Sequence, residues 1–170
     1  MSTDYFITLE QGVDFIHQLT DKQYIEIAEG FDSAIGCHVR HILDHFYSVK
    51  QGLDLGYVDY EFRRRGALVE TCRNKALEQF REVQQWLTHL TEASLIQNIM
   101  VKSDIGIGRS HIVQVQSTLA RELMFACSHA IHHYATLKLI FQRLGGEFNE
   151  PQFGIAPSTA TFNRKQPCVR

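Results

Sequence analysis

Apolar residues recur at spacings of three and four along much of the chain, the repeat of an amphipathic helix. Val13, Phe15, Ile16 and Leu19 predict a short first helix over about Leu9 to Leu19, with Gly12 inside it. Tyr24-Ile25-Glu26-Ile27 reads as a brief extended or turn segment. Gly30 then supplies a stop, and Asp32 and Ser33 are N-cap candidates for a second helix. That helix runs from about Ala34 to Lys50 or Gln51 and is expected to end at Gly52, with Leu53 to Tyr60 as a loop. The longest clean helical pattern follows over about Arg65 to Leu90, where Ala76, Leu77, Phe80, Val83 and Leu87 face one way and Glu78, Arg81, Glu82 and Gln85 the other.

The period then changes. Leu95 to Val101 and His111 to Gln116 are rich in β-branched residues and partly alternate, and Asp104 to Arg109 carries two glycines of a turn, which together predict a two-stranded hairpin. A lone hairpin is marginal in water, so it is expected to pack on the helices. His111 at its base reads as a surface strand residue. A fourth helix spans about Ser117 to Leu144 and stops at Gly145-Gly146. The segment from Glu147 to Arg170 contains Pro151, Pro157 and Pro167, which argue against a helix before Pro157, while Phe153 to Thr159 mixes apolar and turn residues and should in part fold back.

At 170 residues and 44% hydrophobic content, a single domain with a sizeable core is expected over 1–170. A formal charge of −2 gives no electrostatic footprint for nucleic acid, and the short run Arg63-Arg64-Arg65 does not change that. No apolar run approaches a membrane span, and Met1 to Tyr5 lacks the regions of a signal peptide, so neither membrane nor export is expected. Cys37, Cys72, Cys127 and Cys168 occur singly, which fits reduced thiols in a cytoplasmic protein.

Six of the nine histidines fall in two short helical windows. In Ser128-His129-Ala130-Ile131-His132-His133, residues His129 and His133 project only about 40° apart on a helix, while His132 points roughly 80° from their bisector. Two imidazoles one turn apart can reach one ion. Upstream, His38, His41 and His45 are spaced i, i+3, i+7 and fall within about 60° of one another. Spacing alone leaves open which of these three joins the later pair. A single such residue is ordinarily a half-buried, carbonyl-bonded histidine; two clusters at one-turn spacing point to a metal site.

These motifs resemble the DinB-like (DinB/YfiT) superfamily of metal-dependent bundle proteins. Its members pair a helix-two histidine, followed after three residues by Asp or Glu, with an H-x3-H pair on a later helix. His41-Ile42-Leu43-Asp44 resembles the first element and His129 to His133 the second, including the doubled histidine. Val58-Asp59-Tyr60, Arg121-Glu122-Leu123 and Phe153 to Thr159 resemble a subgroup. The resemblance implies a mainly α four-helix bundle, with the hairpin between helices three and four and residues 145–170 packed on it. It implies His41, His129 and His133 as metal ligands. His38, Asp44, His45 and His132 would then lie around them or serve the fold.

Three neutral imidazoles with one position open are the donor set of a catalytic rather than a structural zinc. Nickel and iron accept imidazole too, so the cofactor expectation is a divalent ion, zinc foremost. Glu122 lies within about 20° of the His129/His133 direction, two turns away, and is the candidate for proton transfer; its rival role is an ion pair with an arginine such as Arg40 or Arg121. Asp44, three residues from His41, either touches the site or caps or pairs with Arg40. The resemblance implies thiol transfer, in which the ion binds a small thiol cosubstrate, or hydrolysis, with a small-molecule substrate and a homodimer as further expectations. A non-catalytic metal-binding bundle predicts a fourth protein ligand such as His38 or His45, and an interaction module predicts no metal.

Overall fold

The computed structural model describes residues 2–165. Four long helices, α1 (Ser2–Gln18), α3 (Ile35–Leu55), α4 (Arg73–Thr88) and α6 (Leu119–Arg143), form the bundle, joined by short helices α2 (Asp21–Ile25) and α5 (Glu92–Leu95) and followed by α7 (Pro157–Lys165). The α3 helix packs on α4 and α6, and α1 packs on the same two, so the apolar stripes meet in one core. Phe15, Ile16, Ile42, Phe46, Phe80, Leu123 and Leu137 are almost wholly buried there.

Several boundaries differ from the sequence reading, each for a local reason. The first helix begins near Ser2 rather than Leu9, because Tyr5 extends the inward stripe of Leu9, Val13 and Ile16 by one more turn. Of the segment Tyr24 to Ile27, Tyr24 and Ile25 belong to the short helix Asp21–Ile25, started by a reciprocal capping box of Thr20 and Gln23, and Glu26 is extended. The α3 helix runs through Gly52 to Leu55 and ends at Gly56, whose φ of 76° makes the left-handed cap. Gly52 serves close packing instead, since a Cβ there would lie 2.5 Å from Val58 Cγ2.

The stretch expected to be a loop contains a strand. β1 (Tyr57–Asp59) pairs in parallel with β2 (Asn98–Asp104), which pairs antiparallel with β3 (Ile112–Thr118), so the hairpin is two-thirds of a three-stranded sheet. Val58, Val101 and Val115 are cross-strand neighbours, and Val58 and Val101 are buried against the helices. The third long helix starts at Arg73 rather than Arg65. Glu70, in a 3-10 turn over Leu68–Glu70, accepts hydrogen bonds from Arg40 Nε and Gly66 N–H, which ties that segment across to α3.

The fourth long helix starts at Leu119, because Ser117 and Thr118 still pair with β2; the Thr118 hydroxyl then caps the Arg121 N–H. Phe153 is buried, its ring stacked at 4.8 Å on both Phe15 and Tyr134. Among the described residues no helix is long and apolar enough to cross a membrane. Cys37, Cys72 and Cys127 are free thiols, and Cys168 lies outside the described residues.

Candidate metal centre

The packing of α3 against α6 brings the two histidine windows face to face. His129 Nε2 lies 3.0 Å from His41 Nε2 and 3.1 Å from His133 Nε2. The ligating atoms of His41, His45 and His129 lie within 4.8 Å of one another, a three-histidine group that can hold a metal ion. His132 is exposed, its ring centroid 5.7 Å from that of His133.

The surrounding contacts fix the rings. His45 Nδ1 donates to the main-chain carbonyl of His41 at 3.0 Å, so a neutral His45 carries its lone pair on Nε2. Its ring stacks on His129 at 4.0 Å and on Tyr60 at 5.1 Å. His38 Nδ1 is 3.1 Å from His133 Nδ1, and His38 Nε2 is 3.1 Å from Ser33 Oγ, forming a chain of three side chains that ends on the His133 ring. With Nδ1 so engaged, His133 is left to use Nε2 toward the cluster.

The two candidate carboxylates are both fully buried and both already partnered. Asp44 accepts from Arg40 Nη1 at 3.0 Å, Arg64 Nε at 2.7 Å and the Arg64 N–H at 3.2 Å. Glu122 accepts from Tyr60 Oη at 2.7 Å, Ser117 Oγ at 2.5 Å and Arg121 Nη1 at 2.9 Å. Glu122 reaches the histidines through Tyr60, whose ring lies on His45.

Burial holds these imidazoles neutral. It pushes His41 down to about 2, His129 to about 3 and His133 to about 4, with neighbouring histidines and the Arg63 guanidinium adding to the effect. His38 and His45 are also held below the usual histidine range by burial.

This donor set fits a divalent ion. Ligand nitrogens about 2.0–2.1 Å from a tetrahedral zinc stand ~3.3 Å apart, close to the spacings around His129. His129 Nε2 faces two other ring nitrogens although it carries only one proton or one lone pair, so two separate full hydrogen bonds are not available to it. A shared cation accepts lone pairs from all of them.

A model of the DinB family matches residues 9–153. The chain belongs to the DinB family. Among solved structures it is similar to YjoA, a DinB-like protein of Bacillus subtilis, with a TM-score of 0.58 and 16% identity over 86% of this chain and 94% of that one, a likeness of fold. Among curated proteins it is similar to FK506-binding protein 5 of Rhizopus delemar, 36% identical over 110 residues. Those residues are 64% of this chain but only 28% of that protein, so the chain spans little more than a quarter of its relative's length.

Within this DinB fold the two histidine windows meet: His41, His45 and His129 form the group that can hold an ion, His133 adjoins it through His129, and His38 contacts His133. Two participants take their roles at the site only through folding. Ser33 is an N-cap candidate by sequence, but α3 is capped at Ala34 with no side-chain bond, and Ser33 Oγ faces His38 instead. Tyr60, 62 residues from Glu122, joins that carboxylate to His45 only through folding.

Proposed function

We propose that this DinB-family protein is a metal-dependent enzyme of small-molecule chemistry, a thiol-dependent transferase or a hydrolase, with His41, His129 and His133 as ligands and one coordination position left for substrate. The observation that carries the reading is the contact of His129 Nε2 with both His41 Nε2 and His133 Nε2, at 3.0 and 3.1 Å, among imidazoles held neutral by burial. The ion, zinc foremost with nickel or iron as alternatives, would supply Lewis acidity that lowers the pKa of a thiol or a water molecule.

The remaining parts of the site act through this chain's own groups. His38 and Ser33 orient His133; the His41 carbonyl orients His45. Tyr60 holds Glu122 and at the same time backs the His45 ring. Glu122, engaged by three donors, is in our reading a positioning group rather than the proton carrier suggested by its helical direction. The small net charge favours a small molecule over nucleic acid as partner, and the single cysteines favour the cytoplasm.

A second reading, an ion held for stability or sensing, is favoured by His45. Its free Nε2 offers a fourth imidazole that would close a tetrahedral shell. The deciding experiment is metal analysis of tag-free, chelator-free protein by mass spectrometry, with X-ray absorption to count nitrogen and oxygen ligands. About one ion per chain with three imidazoles and an exchangeable oxygen, followed by metal-dependent turnover in thiol-transfer or hydrolase screens, supports the enzyme. Four imidazoles and no exchangeable ligand support the second reading.

A further inference from the structure

We propose that the centre takes an oxyanion-bearing ligand, a carboxylate or a phosphate, and that Arg63 receives it beside the histidines. The inference rests on the metal reading above and names the charge class of what that site binds. Its basis is a count of charges and partners around the site.

The Arg63-Arg64-Arg65 run divides in the fold. Arg64 bonds Asp44 through its Nε and its N–H, with its guanidinium 4.3 Å above the Tyr47 ring, and its buried Nη2 is left without a partner. Arg65 is exposed. Arg63, between Phe62 and the anchored Arg64, is half-buried, and among the described residues it forms no ion pair. Arg40, the other arginine of this region, is paired with both Asp44 and Glu70.

The loop that carries Arg63 is pinned on both sides. Tyr60 is held by Glu122 and lies against His45; Glu61 N–H bonds the Asp59 carboxylate, and Glu61 Oε1 accepts the Asp104 N–H at 2.8 Å. On the other side Arg64 is fixed to Asp44, the residue preceding His45, and Gly66 N–H is fixed to Glu70. Arg63 is therefore bracketed by one residue that touches the His45 ring and another that bonds its neighbour. Behind burial, its charge helps hold His41, His45, His129 and His133 below the usual histidine range, which agrees with that placement.

The charges around the site then fail to balance. Every candidate ligand is a neutral imidazole, so a divalent ion would keep its full charge. The two nearby buried carboxylates, Asp44 and Glu122, are already matched by Arg40, Arg64 and Arg121. Glu61 is exposed, so its charge is screened by water; its carboxylate accepts the Asp104 N–H and, among the described residues, forms no ion pair with Arg63. With a divalent ion held by the histidines, an unpaired, half-buried guanidinium on the loop pinned beside them would complete a receptor for an anion, and the planar fork of arginine matches two oxygens of a carboxylate or phosphate.

The test uses the full chain loaded with cobalt(II), with acetate and inorganic phosphate as separate probes, read by the visible spectrum and by calorimetry. Wild-type protein is expected to bind one of the two, and the stronger arm identifies the oxyanion. Arg63→Ala should weaken that binding about tenfold or more with cobalt content and thermal unfolding unchanged, and Arg63→Lys should restore only part of it because lysine lacks the fork. Equal anion affinity in Arg63→Ala and wild type, or no binding of either probe to cobalt-loaded wild type, overturns the Arg63 assignment and leaves the metal reading standing. Failure of the wild-type protein to take up metal overturns both.

Discussion

His45 Nδ1 sits 3.0 Å from the main-chain carbonyl oxygen of His41, one helical turn back on the same helix. That bond makes His45 and His133 rivals for one role, since each has its Nδ1 occupied away from the cluster, which leaves Nε2 to serve as ligand, and each lies beside His129. We expect His133→Ala, like His41→Ala and His129→Ala, to lower metal affinity at least tenfold, and His45→Ala to lower it by less. The exposed His132→Ala should leave it unchanged. Competition titration against a chromogenic chelator checks the order, and a larger loss for His45 than for His133 would move the third ligand to α3.

Replacement of His38 tests the chain Ser33–His38–His133. His38→Ala removes the partner that holds the His133 ring and should weaken metal binding about tenfold, with little change in thermal unfolding of the metal-free protein. Metal affinity equal to wild type would show that His133 needs no such support.

Asp44 is a structural anchor in the same neighbourhood. It is fully buried with three donors on its carboxylate, so Asp44→Ala leaves Arg40 short of one partner and Arg64 without its own. Breaking a buried pair from one side typically costs about 3–5 kcal/mol. Urea unfolding should report a loss of that order; a loss under about 1 kcal/mol, the size expected of a surface pair, would contradict the network.

The neutral histidines set an acid limit. In the folded, metal-free protein, burial first and neighbouring positive charge second hold His41 at about 2, His129 at about 3 and His133 at about 4, against an ordinary value of 6.5. Only the unfolded chain takes up these protons as pH falls below 6.5, so stability is intact above that value and declines as pH falls from about 6.5 toward 4. Urea midpoints measured across pH 8 to 4 should be level at the upper end and drop on the acid side. A midpoint that stays level down to pH 4 would place the imidazoles in a solvated setting.

Much of this protein is set by local pattern. The 3.6-residue period placed the cores of α1, α3, α4 and α6, because burying an apolar stripe is the main drive for each helix. The i, i+4 spacing put His129 and His133 on one face, since helix geometry alone decides that. Local reading failed where a residue's role depends on something distant. Gly52 looks like a helix end but is small because Val58 crosses it, and β1 has only three residues and is a strand because β2 lies beside it. The same limit applies to the site. Helix spacing could not sort His38, His41 and His45, because their surroundings depend on how α3 sits against α6, which brings both His41 and His45 to His129 and turns His38 Nδ1 to His133. Nor could the sequence separate three adjacent arginines. Asp44 takes Arg64 and leaves Arg63 unpaired, a division made by burial of a carboxylate 20 residues away along the chain.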